Sequence, residues 1–289
     1  TPYTLSIAPV LEEFRPEIEH VVTCLERWYA LVRAPSAPRI LHYGPNPPAG
    51  AIHVPNTLFP ECVRINDDGI RLDRAAFAAR DYLLVRPAGP RQGDALTYDA
   101  IGLAFLLLSG IEERDYAPLD RYARFPHGAA FAVRHTGGAP PLADQAVHDL
   151  ASALLDTGNP QSRTSYAVMP THDVDMLRGY HRWWEPLRYA AGDAVKRGNP
   201  ARGWRRLSDA YLAGEPWRSV RYLMDHSERR GLTSRFFFMG PSADPMDSPY
   251  AAEDAPLLRR VADEVARRGH AIGFHPGFAT ASDRVSWQI

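Results

Sequence analysis

Cysteine is scarce in this chain: Cys24 and Cys62 are the only two in 289 residues. So low a count excludes the disulfide framework of a small secreted domain and leaves at most one bridge. Long apolar runs are lacking too. The run 101–108 is far too short to cross a bilayer, so no transmembrane segment is expected. No signal peptide is visible, which tips the expectation towards the cytoplasm, although the start at Thr1 rather than methionine leaves room for an upstream segment. Charge of one sign is also missing. With 33 Lys and Arg against 34 Asp and Glu, the net charge is −1, and no global field recruits nucleic acid or an anionic membrane. There is no glycine-rich nucleotide fingerprint, no internal repeat and no low-complexity tract.

What is present is ordinary globular material, 45% hydrophobic and 23% charged, long enough for two domains or one large one. Residues 1–32 begin extended and then show helical spacing at Ile18, Val21, Val22, Leu25, Trp28 and Tyr29, with Pro16 suited to a first turn. Short strands are predicted over 39–43, 51–54, 63–65, 70–72 and 82–85, the middle pair forming a hairpin around Asp68-Gly69. Helices are predicted over 98–108 and 142–155, which makes residues 1–160 a smaller α+β domain. The segment 157–163 has the turn formers of a linker.

A different rhythm follows over 164–289. A strand over 166–170 leads into a basic helical insertion at roughly 177–213. Helix 217–229, strand 235–239, helix 255–267 and strand 271–274 come next, with Gly231 and Gly269 where C-cap glycines belong. Alternating strands and helices imply parallel strands with right-handed crossovers, an α/β class.

The features that carry chemistry lie at the ends of those strands. Thr171-His172-Asp173-Val174-Asp175 places two carboxylates at i and i+2, on one face of an extended segment, with His172 and Val174 on the other. Roughly 100 residues further on, His275 ends another short apolar strand. Sites in parallel α/β sheets gather at the carboxyl ends of strands. A borderline cation held by carboxylate and imidazole, with a second carboxylate as proton acceptor, would suit metal-assisted hydrolysis. His270 starts its strand and belongs at the opposite rim, as a structural residue bonded to backbone.

Other features are weighed more lightly. Lys196, Arg197, Arg205 and Arg206, with Trp183, Trp184 and Trp204, suggest either a sugar or anionic-polymer platform or an amphipathic insertion with packed tryptophans; the second is favoured. Arg229-Arg230 and Arg267-Arg268 precede helix-ending glycines, where cations complement the dipole. Asp244, Asp247 and Asp254 read as solvated loop carboxylates, and Glu112-Glu113 as an ion-paired turn without chemistry.

Thr171 to Asp175 resembles the first motif of polysaccharide deacetylases, carbohydrate esterases with a metal-dependent, distorted (β/α) barrel. Gly269-His270-Ala271-Ile272-Gly273-Phe274-His275-Pro276 resembles their second, histidine-bearing motif. Tyr222 to Asp225 and Ser234 to Gly240 are similar to the second strand unit of that domain. Upstream, Leu106 to Glu113, with Asp120, Arg124-Phe125 and Pro140-Pro141-Leu142, resembles an uncharacterised domain that often precedes such deacetylases. The resemblance covers roughly residues 95–280. It implies Asp173 as catalytic base, Asp175 and His275 as ligands to a divalent metal, with zinc expected, and an acetylated carbohydrate as substrate.

Two departures qualify it. The position four residues after His275, where the family has a second metal-binding histidine, is Ala279, so a third ligand must come from elsewhere; Asp283 is one candidate. Only three barrel-type strands precede Ile289, and the later arginine, tryptophan and leucine-histidine elements have no counterpart, so the chain is expected to be a fragment that lacks full activity. The alternative is a degenerate barrel acting as a non-catalytic carbohydrate-binding or scaffold module. A glycosyltransferase metal-nucleotide site ranks last, because no nucleotide-binding half precedes Asp173 and His275-Pro276 would go unexplained.

Overall fold

The computed structural model describes residues 1–162, 165, 167–177, 183–212, 217–240, 247, 250 and 254–281. The chain divides into two compact units, Thr1–Ser165 and Tyr166–Ile289. Both combine helices with sheets in which most strand pairs are parallel.

The first unit is α/β in its main sheet, against the expectation of an α+β domain. Its elements are β1 (Pro2–Ile7), α1 (Arg15–Tyr29), β2 (Val32–Arg33), β3 (Ile40–Tyr43), β4 (Ile52–Val54), the hairpin β5 (Val63–Asn66) and β6 (Gly69–Leu72), and α2 (Arg74–Arg80). They are followed by β7 (Arg91–Gln92), β8 (Ala95–Leu96), α3 (Ala100–Ser109), α4 (Phe131–Thr136) and α5 (Leu142–Leu155). The sheet order is β2-β1-β3-β4-β8-β7, with only β7 and β8 antiparallel. Strands of two to six residues carry too little periodicity to reveal their direction, which is why parallel pairing escapes the sequence.

Leu41, Tyr43, Ile52 and Val54 point from one face of this sheet into the core shared with α1, α3 and α5. Asp99 is buried at the N-cap of α3 and accepts from the amides of Gly102 (2.6 Å), Thr57 (2.7 Å) and Leu58 (2.9 Å) and from the Tyr43 hydroxyl (3.1 Å). Two expectations need correction here. Residues 82–85 are no strand: Asp81–Leu84 form a 3-10 turn, fixed by Arg134 and His135 on the buried Asp81 carboxylate. Glu112 lies in a turn as expected, but among the described residues its carboxylate is not ion-paired. It is buried and accepts the Phe131 amide at 2.8 Å, and burial pushes its carboxyl up from the usual range. Cys24 and Cys62 are both free thiols.

The second unit holds β9 (Thr171–Val174), α6 (Glu185–Val195), α7 (Pro200–Tyr211), α8 (Arg218–Glu228), β10 (Arg235–Met239), α9 (Ala255–Arg267) and β11 (Ala271–His275). The three strands form a parallel sheet with β10 in the middle, and no barrel closes among the described residues. The first strand is shifted from its expected place at 166–170. Tyr166 lies outside the described residues, Val168 and Met169 are exposed, and pairing begins only after Pro170, which cannot donate to a ladder. The Asp-x-Asp segment is therefore largely the strand itself rather than its exit.

One face of this sheet presents Val174, Phe236 and Phe238 to Val220 and Met224 of α8 and to Val261 and Val265 of α9. Full burial of a phenylalanine such as Phe236 contributes about 1.5–3 kcal/mol. Gly231 (φ +66°) and Gly269 (φ +80°) follow α8 and α9 in the left-handed region that lets each helix turn into the next strand. Among the described residues no helix is long and apolar enough to cross a membrane.

Candidate functional site

The other face of the second sheet carries the acids. In the parallel register Asp173, Phe237 and Gly273 form one row across the three strands, and Met239 pairs with His275 one pleat further on. Asp175 stands just past the end of β9, on the Asp173 side because side chains alternate. The predicted pairing of faces holds: Val174 is in the core, and His172 stacks 4.9 Å from Phe236 on the helix-covered side.

His275 reaches over the central strand towards both acids. Its Nε2 is 3.5 Å from Asp173 Oδ2 and 3.9 Å from Asp175 Oδ1. For a zinc ion with bonds of about 2.0–2.1 Å, tetrahedral ligand atoms lie about 3.3–3.4 Å apart, so the Asp173 separation matches that edge closely and the Asp175 separation exceeds it by about half an ångström. An imidazole nitrogen with two carboxylates is also a donor set suited to zinc or a related divalent cation. The fit stops short of a finished cage. Among the described residues no group of three or more His, Cys, Asp and Glu side chains is placed to hold a metal ion. His275 Nδ1 is buried without a hydrogen-bond partner among the described residues, whereas a ligating imidazole usually donates its second N–H to an acceptor. Residue 279 is alanine and offers no donor, and Asp283 lies outside the described residues.

Two residues that sequence reasoning did not assign to the site hold its frame. The Tyr250 hydroxyl donates to the carbonyl of Val174 and accepts the Met239 amide at 3.3 Å, so one side chain fastens the exits of β9 and β10. Burial, then the nearby Asp175 charge, pushes its phenol up to about 12. Asp247 accepts the Phe278 amide at 2.9 and 3.1 Å and fixes the turn that follows β11. Its carboxylate is engaged with backbone at that turn. Asp244, raised alongside it in the sequence, is outside the described residues.

The opposite rim is a separate polar network. His270 is buried; its Nδ1 accepts the Ser234 amide at 3.0 Å and its Nε2 meets Glu228 at 3.2 Å. His172 Nε2 lies 3.3 Å from Ser234 Oγ, and burial, then the charge of His270, lowers its imidazole below the ordinary value. These two histidines tie strands to α8 and face away from the acids. Arg268 pairs with Asp225 (2.5 Å) and Glu228 (2.6 Å), a more specific role than the helix-end charge expected from sequence.

No protein-family model, curated protein or solved structure matches this chain.

Proposed function

We propose that the second unit carries the hydrolytic centre of a polysaccharide-deacetylase-like enzyme, which removes an N- or O-acetyl group from a carbohydrate with the help of a divalent cation, zinc or a related ion. The single observation behind this reading is the convergence of His275 on both Asp173 and Asp175 across the intervening strand. Asp175 and His275 hold the cation. Bound there, it supplies Lewis acidity to the acetyl carbonyl and to water. Asp173, beside it, accepts the proton of the attacking water at its carboxylate oxygen. Phe237, between Asp173 and Gly273 in register, forms an apolar floor against which a sugar face can rest.

A second reading, a non-catalytic carbohydrate-binding or scaffold module, is favoured by Ala279, which stands where the resemblance calls for a second metal-binding histidine. The deciding experiment combines metal analysis with acetate release from acetylated oligosaccharides by the full-length protein. One bound zinc per chain, with acetate release that Asp173→Asn abolishes while metal stays bound, supports the enzyme. Full activity in that variant removes Asp173 from the base role. Sugar binding with neither metal nor turnover establishes the module.

A further inference from the structure

The helical hairpin between β9 and β10 has a specific surface of its own. α6 and α7 approach closely because residue 203 is glycine: a Cβ there would come within 2.8 Å of the Ala190 carbonyl oxygen. On one side of that contact Asp193, fully buried, gathers Arg197 and Arg206 at 2.8 Å each and Arg202 at 3.6 Å. On the other, Leu187, Ala191 and Ala194 of α6 and Pro200, Trp204 and Leu207 of α7 line one apolar groove. Each trio recurs at i, i+4 and i+7, so each helix contributes a single stripe.

This stripe and its margins face outward. Trp183 is 76% exposed, Trp204 67% and Val195 83%, so these two tryptophans do not pack inward as the sequence suggests, while Trp184 is half-buried. Arg188, Lys196 and Arg205 are exposed beside it. Over 183–212 six cations oppose three acids, a local excess of +3 in a chain whose overall charge is −1. Net charge near zero hides this patch from a composition-level reading.

We propose that the α6–α7 hairpin docks on an anionic lipid surface, with its apolar stripe in the headgroup boundary and its arginines against lipid phosphates. Apolar area, rim tryptophans and flanking cations are the combination that holds an interfacial helix in the membrane plane. A second copy of the hairpin is a poor occupant, since two surfaces of like charge would repel.

The test is co-sedimentation of the full chain with phosphatidylcholine vesicles, with and without about 30% phosphatidylglycerol. Binding is expected only to the anionic vesicles and should fall as salt rises from about 0.05 to 0.5 M. The double variants Leu187→Ser/Trp204→Ser and Arg188→Glu/Arg205→Glu should each lower the bound fraction about tenfold at unchanged helicity. Absence of binding, or equal and salt-insensitive binding to neutral vesicles, overturns the proposal. So does concentration-dependent self-association without vesicle binding that Trp204→Ser abolishes, since a second copy would then cover the stripe. If either variant loses helicity, the salt titration of the unaltered chain decides.

Discussion

The ring of Phe237 fills the space that any side chain at Gly273 would need: a Cβ built there falls 2.4 Å from Phe237 Cδ1. Gly273→Ala should therefore push the ring off the sheet and destabilise the second unit by about 1–3 kcal/mol, the usual penalty for overpacking. Urea unfolding of the variant measures this. Asp173 shares the row, so sugar affinity should weaken in the same variant.

His270 and His275 separate by function in one pair of experiments. His270→Ala strands the buried Ser234 amide and should lower stability by about 2–4 kcal/mol. Because its ring faces away from the acids, zinc affinity by calorimetry should stay within about twofold. His275→Ala should do the reverse, with zinc affinity falling at least about tenfold at near-constant stability. Loss of zinc binding in the folded His270 variant would assign the ligand to the wrong histidine.

Acid should loosen the join between α8 and the start of β11. The Arg268 guanidinium against Glu228, with His270 beside it, holds that carboxyl down at about 2, well below the ordinary carboxylate range. A depressed folded value means the stabilisation is complete above the unfolded value, fades as pH falls from about 4.5 towards 2, and is gone below the folded value. The stability gap between the protein and Glu228→Gln should therefore be open at pH 6 and close towards pH 2, as read from urea midpoints across that range. A gap that stayed constant with pH would remove Glu228 from the linkage.

In the first unit the sensitive carboxylate is Asp99. Asp99→Ala would leave three backbone amides and the Tyr43 hydroxyl without their acceptor in the core, for a loss of about 3 kcal/mol or more. Calorimetric melting should show that transition drop while the second unit's is unchanged. Should the melt stay where it is, water has replaced the carboxylate.

Much of the second unit is legible in the sequence because its signals are local. Leu257, Leu258, Val261 and Val265 mark one face of α9, Phe236 and Phe238 mark the strand face covered by helices, and Gly231 and Gly269 mark helix ends. The i, i+2 spacing of Asp173 and Asp175 gives a shared face as soon as the segment is extended. Tyr250 left no such trace. It sits in a connection without periodicity, and its value comes from joining two carbonyl and amide groups that only tertiary folding brings together. The same holds for Asp193, which gathers arginines from two helices, and for the direction of the short strands in the first unit. Side-chain alternation can be read from residues alone; partnership across a fold cannot.

Since β9 and β11 meet only through β10, the acids and the imidazole are aligned by two independent ladders. A slip of one residue on either would rotate a carboxylate, or His275, to the side covered by α8 and α9, leaving half a chelate behind. With the cation bound as proposed, its affinity would report how faithfully the central strand is threaded, and a misregistered refolding product should be recognisable as native-like in helix content yet blind to zinc.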